Sequence, residues 1–372
     1  EEKTEQIAER LDKVEGIDFL IENPEFVKKA EPPSELKNKR VFRPYEFFVK
    51  MYGLPTYGEI DPTVFVALTY TVLFGVMFED FGQGLVLSLI GFLMYKLKKM
   101  PLGKILVPCG ISGAFFGLVF GSVFGFEEVL NPLYRLLGFG HKPFEVMENV
   151  NTILIASISI GVFLVLCAMG LNIYSCFKQR NLEGALFGAN GVAGFSLYAA
   201  TLTLAVLPMI SDVKIPVLPV VLVFIAAPFI LIYLREPLGK LVGGERDWQP
   251  ESWGEYLTQG FFEMFEAVLS YVTNTVSFLR VGAFVLVHAG MMTTFTYLAE
   301  LTGGGIPGAL MMIFGNALVI ALEGLLVGIQ VLRHLVGIQV LRLEFYEMFS
   351  RFFEGAGRPY EPLVLGRKRS AS

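Results

Sequence analysis

From Pro62 to about residue 350 the chain alternates long apolar runs with short polar loops. Eight runs stand out, roughly 62–79, 82–97, 105–125, 151–171, 184–207, 215–234, 261–301 and 306–350. A helix rises 1.5 Å per residue, so about 20 apolar residues match the ~30 Å hydrocarbon layer of a bilayer. The pattern predicts an all-α polytopic membrane protein with eight transmembrane helices. The last two runs are longer than the rest. Phe261 to Leu301 is 41 residues, roughly 60 Å of helix, so the last two helices are expected to be long and tilted, bent, or extended beyond the membrane. Eight crossings bring both ends of the chain to one side.

Composition excludes a water-exposed surface for most of the chain. Of 372 residues, 53% are hydrophobic, 17% are charged and 34 are Phe, with a mean hydropathy of +0.57. The net charge of -5 carries little meaning, because the charges are segregated and their fields are local. The segregation does carry meaning. Loops 95–104, 172–183 and 235–260 hold Lys96, Lys98, Lys99, Lys104, Lys178, Arg180, Arg235, Lys240 and Arg246, whereas the opposite loops hold only Arg135, Lys142 and Lys214. The positive-inside rule then places the first set, and both termini, in the cytoplasm.

Three regions follow. Residues 1–58 are a charged cytoplasmic segment and linker, with a short amphipathic pattern at Ile7, Leu11 and Val14 ahead of Pro32 and Pro33. It lacks the apolar core of a signal peptide, and its start at Glu1 leads us to expect a larger soluble domain before it. Residues 59–360 form the eight-helix membrane domain, and 361–372 a basic cytoplasmic tail with Arg367, Lys368 and Arg369. Cys109, Cys167 and Cys176 show no metal-ligand spacing and read as packing residues. Gly113, Gly117, Gly121 and Gly125 recur every fourth residue, which predicts a smooth helix face that a neighbouring backbone approaches closely.

The candidate chemistry is concentrated in the last two runs. Glu263, Glu266, Arg280, His288, Glu300, Glu323, Arg333, His334 and Arg342 all fall there. Arg280 is the one permanently charged residue between Ala267 and Leu298. A charge at the bilayer centre costs about 2.5–3.5 kcal/mol on insertion scales, so such residues normally face a protein-lined or water-filled path. Glu266 precedes Arg280 by 14 residues, which on a helix returns to within about 40° of the same face. Glu263 lies one turn earlier, and Ser270, Thr273, Asn274 and Ser277 fill the interval. Together they predict a polar stripe suited to relaying a proton or a small cation. His288 lies beyond it, either as a continuation of the path or as a packing residue. There is no phosphate-binding glycine loop and no zinc-protease motif, so no nucleotide, cofactor or metal is expected on this chain.

The stretches SYVTNTVSFLRVGAFVLVHAGM, ALEGLLVGIQVLR and LRLEFYEMFSRFFEGAGRPYEP resemble the last two membrane helices of subunit a of V-type ATPases, called subunit I in archaeal A-type and bacterial V/A-type enzymes. The stretch from Pro32 through the EDFGQG sequence ending at Gly84 is similar to that family's entry into its first two spans. The resemblance implies a non-catalytic stator subunit that forms two ion half-channels. Its partners would be a rotor ring of small subunits with mid-membrane carboxylates, and the peripheral-stalk and central-stalk subunits, with no nucleic acid. It implies H+ or Na+ transport coupled to ATP hydrolysis or synthesis, in the cell membrane of an archaeon or bacterium, or a vacuolar-type membrane in a eukaryote. Arg280 matches the family's essential arginine, Glu266 and Glu323 match its acidic residues, and Arg333 or Arg342 matches a second arginine.

Two departures qualify the match. Many members have His where Gln83 stands, and LVGIQVLR occurs at both 326–333 and 335–342. Nine residues turn a helix by 900°, so Arg333 and Arg342 point to opposite faces. The ten-residue interval from Glu323 favours Arg333 as the copy near Arg280, leaving Arg342 to pair with Glu263 or Glu266 or to reach the cytoplasmic interface. A stand-alone secondary transporter, with Arg280 binding an anionic substrate, is the alternative reading. It predicts inverted repeats, and none is visible. An intramembrane hydrolase using His288 lacks a nucleophile and base pair.

Overall fold

A computed structural model describes residues 4–13, 33–56, 59–126, 129–136, 146–210, 217–243, 252–328, 347–353 and 355–360. Arg333, Arg342, all of the duplicated LVGIQVLR but the first three residues of its first copy, and the basic tail lie outside the described residues. Among those described, the protein is helical, with isolated bridges and no strand.

The N-terminal segment contributes α1 (Thr4–Leu11) and α2 (Glu46–Tyr52). The predicted runs then each contain helix. They correspond to α3 (Thr63–Phe78), α4 (Phe81–Lys98), α5 (Gly103–Phe120), the short α6 (Asn131–Leu136) in a loop, α7 (Val150–Lys178), α8 (Leu182–Phe187) and α9 (Val192–Ile210). Next, α10 (Val217–Val221) passes through a π-helical turn into α11 (Ala227–Tyr233), which bends by 78° into α12 (Arg235–Val242). The last helices are α13 (Trp253–Ser277), α14 (Leu279–Leu301), α15 (Gly305–Gly328) and the short α16 (Ser350–Phe352).

Among the described residues, five helices are long and apolar enough to cross a membrane, or up to six if the bent pair is one span. Three of the eight apolar runs fall short: α3 is 16 residues, α4 is long enough at 18 residues but carries Gln83, Lys96 and Lys98, and α10–α11 is interrupted. Large apolar side chains such as Leu68 (63%), Phe115 (61%) and Phe163 (65%) remain exposed, which suits a lipid-facing surface and not an aqueous one.

The seventh run starts earlier than expected, at Trp253, and continues to Leu301 as 49 residues. One turn tightens at Phe278, where its N–H donates to the Thr275 carbonyl at 3.3 Å and Val281 N–H donates to the Phe278 carbonyl at 3.0 Å. Such three-residue bonds mark a local change of helix type. Phe278 is fully buried, and its ring fills a notch at Gly161 of α7, where an added Cβ would lie 2.2 Å from the Phe278 ring. The turn after α14 is a glycine run, Gly303–Gly305, with φ of 80°, 69° and 63°, values that L side chains rarely adopt. This turn lets α15 return along α14.

The expected glycine stripe is only partly helical. α5 ends at Phe120, Gly121 caps it with φ 84°, and Gly125 lies in the following loop. Gly113 and Gly117 do pack closely: a Cβ on Gly117 would meet the Phe81 backbone at 2.1 Å. The glycines that bring α4 and α5 together also include Gly84 and Gly110, whose Cβ positions fall 2.5 Å from the backbone of the opposite helix.

Asp80 organises the end of this hairpin. It caps α4 by accepting from Gln83 N–H at 2.8 Å, and it accepts from Ser122 Oγ (2.6 Å), Phe124 N–H (3.0 Å) and Gly125 N–H (2.9 Å). At the other end of the molecule the entering and leaving segments meet. Ser34 N–H donates to the Arg358 carbonyl at 2.8 Å, Gly357 N–H donates to the Leu54 carbonyl at 2.8 Å, and Tyr52 packs edge-on against Phe349.

Candidate functional site

The polar stripe is carried by α13 and begins in an open cavity. Glu263, Glu266 and Ser270 line a cavity of about 340 Å³, together with Tyr256 and Gln259 of the same helix and Tyr233, Arg235 and Glu236 at the α11–α12 bend. The bend therefore supplies the wall opposite the two carboxylates. Both Glu263 and Glu266 are exposed. Gln259 Nε2 donates to Glu263 Oε1 at 2.8 Å, and Arg235 at the rim pairs with Glu183 at 2.9 Å. Three acidic groups facing one cavity favour cations within it.

From the cavity the stripe runs inward along one helix face. Asn274 Nδ2 donates to Ser270 Oγ at 3.3 Å, and Ser277 comes one turn later, at the end of α13. Arg280 follows on the first turn of α14, half-buried, with Nη2 donating to Ser277 Oγ at 3.1 Å. The notch at Gly161 seats Phe278 between them, so packing against α7 sets where Ser277 and Arg280 project. Thr273, counted in the stripe from spacing, is exposed and bonds the Leu269 carbonyl of its own helix at 2.8 Å.

Beyond Arg280 the surroundings become dry. His288 is 1% exposed and Glu323 of α15 is 6% exposed. His288 Nδ1 and Glu323 Oε1 stand 2.7 Å apart, and the Phe78 ring lies 6.0 Å from the imidazole. The histidine is therefore the partner of the carboxylate that the sequence had placed on the neighbouring helix. A small cavity of about 20 Å³ adjoins the pair, lined by Glu79, Ser122, His288 and Thr293 among others, about the size of one water. Gln83 of the EDFGQG sequence is fully buried. It donates to Asn316 Oδ1 at 2.8 Å, and Asn316 Nδ2 donates to the Phe124 carbonyl at 3.1 Å. Here the position ties α4 to α15.

Sequence reasoning missed two residues. Glu347 and Arg351 are each 4% exposed and belong to the same polar network. The Ser277 hydroxyl donates to Glu347 Oε1. Arg351 donates to the Glu347 carbonyl and to Asn190 Oδ1, both at 3.2 Å, and its guanidinium sits 5.3 Å over the Tyr271 ring. Their four-residue spacing in EMFSR is the signal that points to one helix face, but which partner that face meets is not written in it.

Comparison with known proteins shows what the chain is similar to. The sequence model of the V-type ATPase 116kDa subunit family matches residues 1–106. The chain is 27% identical over 431 residues to the A-type ATP synthase subunit I of Saccharolobus solfataricus, covering 98% of this chain and 59% of that protein. It is 28% identical over 380 residues to the subunit I of Aeropyrum pernix, covering 91% and 52%. A segment is 34% identical over 138 residues to V-type ATP synthase subunit I 2 of Treponema pallidum, covering 36% and 29%. The chain thus spans little more than half the length of the first two relatives.

Proposed function

We propose a function from the premise that this chain belongs to the subunit a (subunit I) family of V-type and A-type ATPases. It is a non-catalytic membrane subunit of a rotary ATPase. Its helices, residues 59–360 by the sequence division, act as eight membrane segments and form the stator half of the ion path. Two half-channels meet a rotor ring at Arg280, and the peripheral-stalk and central-stalk subunits of the complex are its further partners.

The observation that carries this reading is the position of Arg280 between two unlike polar regions. On one side lies the open cavity of Glu263 and Glu266, continued by Ser270, Asn274 and Ser277; on the other lies the enclosed pair of His288 and Glu323. The loop charges support a cytoplasmic placement of the cavity, and the contact between Ser34 and Arg358 supports entry and exit of the chain on that same side. An ion arriving through the cavity exchanges onto a rotor carboxylate. When the ring brings a carboxylate to Arg280, the opposite charge favours its deprotonated form, and the ion leaves through the route containing Glu323 and His288. A guanidinium stays charged at physiological pH, so Arg280 also blocks direct passage of cations between the two routes. The rotor carboxylate determines whether the ion is H+ or Na+.

The test is ATP-driven ion uptake by assembled complexes in sealed vesicles. Arg280→Ala is expected to assemble, co-purify with the ring of small subunits, and transport nothing. Uptake retained by the assembled variant overturns the proposal.

A further inference from the structure

The Arg280 guanidinium is tied to a second buried charge centre. Arg280 Nη2 donates to Ser277 Oγ at 3.1 Å, and the Ser277 hydroxyl donates to Glu347 Oε1. A hydroxyl has one proton to give and lone pairs to accept with, so Ser277 can serve both charged groups at once. Arg351 Nε donates to the Glu347 backbone carbonyl at 3.2 Å, which keeps the guanidinium beside this residue. Arg351 is itself fixed by Asn190 at 3.2 Å and by the Tyr271 face at 5.3 Å. Charges buried to 4% exposure persist only where opposite charge and hydrogen bonds compensate their lost hydration.

We infer that Glu347 is a positioning residue for Arg280, acting through the Ser277 hydroxyl. The inference rests on the reading of Arg280 as the stator cation. Two physical consequences follow from the arrangement. First, an arginine side chain has several rotatable bonds and substantial rotamer entropy, and Ser277 is a rigid anchor because the adjacent Phe278 ring is locked against Gly161. The carboxylate fixes the hydroxyl, and the hydroxyl fixes the guanidinium. Second, Glu347 offsets part of the positive charge of Arg280 and Arg351. An ion-exchange site must attract its ligand and still let it go; without the offset, a rotor carboxylate opposite Arg280 would be held too strongly to move on.

The test compares Glu347→Gln, Glu347→Asp, Ser277→Ala and Arg280→Ala in the assembled complex, with ATP-driven ion uptake and complex yield both measured. Gln keeps the size and an acceptor oxygen and removes only the charge. Glu347→Gln is expected to lower uptake about tenfold at unchanged yield, the order for losing one charge-assisted hydrogen bond. Glu347→Asp restores most of it, and Ser277→Ala falls between. Uptake by Glu347→Gln equal to the wild type, with Arg280→Ala dead, overturns the inference and leaves the function standing. Equal impairment by Gln and Asp at full yield also overturns it. If Glu347→Gln does not assemble, Ser277→Ala decides, and normal uptake by that variant overturns the inference. Uptake by Arg280→Ala instead overturns the reading of Arg280 itself.

Discussion

The two polar regions flanking Arg280 use the same residue type in opposite surroundings. Glu263 and Glu266 are exposed on the wall of a cavity of about 340 Å³, where water and neighbouring hydroxyls stand in for any one group. Glu323 is 6% exposed and meets His288 at 2.7 Å. Water can bridge polar groups almost as well as a direct hydrogen bond, so an open carboxylate is replaceable. A buried one depends on its partner, because removing that partner leaves a desolvated group unsatisfied. The sequence alone ranks Glu266 and Glu323 as equivalent relay carboxylates; burial separates them.

The largest effect belongs to Arg280, which neither region can replace. Arg280→Ala should reduce ion uptake to background in assembled complexes, and any substantial residual uptake would mean that the two regions communicate without it. His288→Ala comes next. It strands Glu323 and should lower thermal stability of the complex by about 1–3 kcal/mol, with uptake strongly impaired. The double variant His288→Leu with Glu323→Leu should recover stability but not uptake, since replacing a buried pair with apolar groups is often neutral for folding. Recovery of uptake by the double variant would show that the pair only holds α14 to α15.

Glu266→Gln should slow uptake by only a few-fold, in keeping with a group whose place water can take. An uptake loss as complete as that of Arg280→Ala would erase the distinction between the open and buried regions. Glu263→Gln should have the smallest effect, because Gln259 already shares its carboxylate at 2.8 Å and the side chain stands at the exposed end of the stripe. Measured initial rates in vesicles of matched complex content order the four single variants and the double variant.

Much of this layout is legible in the chain. Apolar runs locate the helices because each must hide its backbone from hydrocarbon, and a lone arginine within such a run identifies Arg280 because a charge there has to be explained by function or by a partner. Spacing also places Glu266, Asn274 and Ser277 on a common face, since helix geometry alone sets that relation. His288 resisted the same treatment. A histidine by itself says nothing about its neighbour, and Glu323 is 35 residues away on another helix.

What the sequence determined by itself was local: helix character, the position of the apolar runs, the face on which each polar residue lies, and the motifs that resemble subunit I of A-type and V-type ATPases. Tertiary structure alone decided the partnerships. Gly161 on α7 receives Phe278 and so sets where Ser277 and Arg280 project; Gln83 joins Asn316 in place of acting alone; Glu347 and Arg351 come to the Arg280 network from the far end of the chain. The physical reason is that helical periodicity fixes directions within one element, whereas the meeting of two elements depends on volumes and hydrogen bonds supplied by residues distant in sequence.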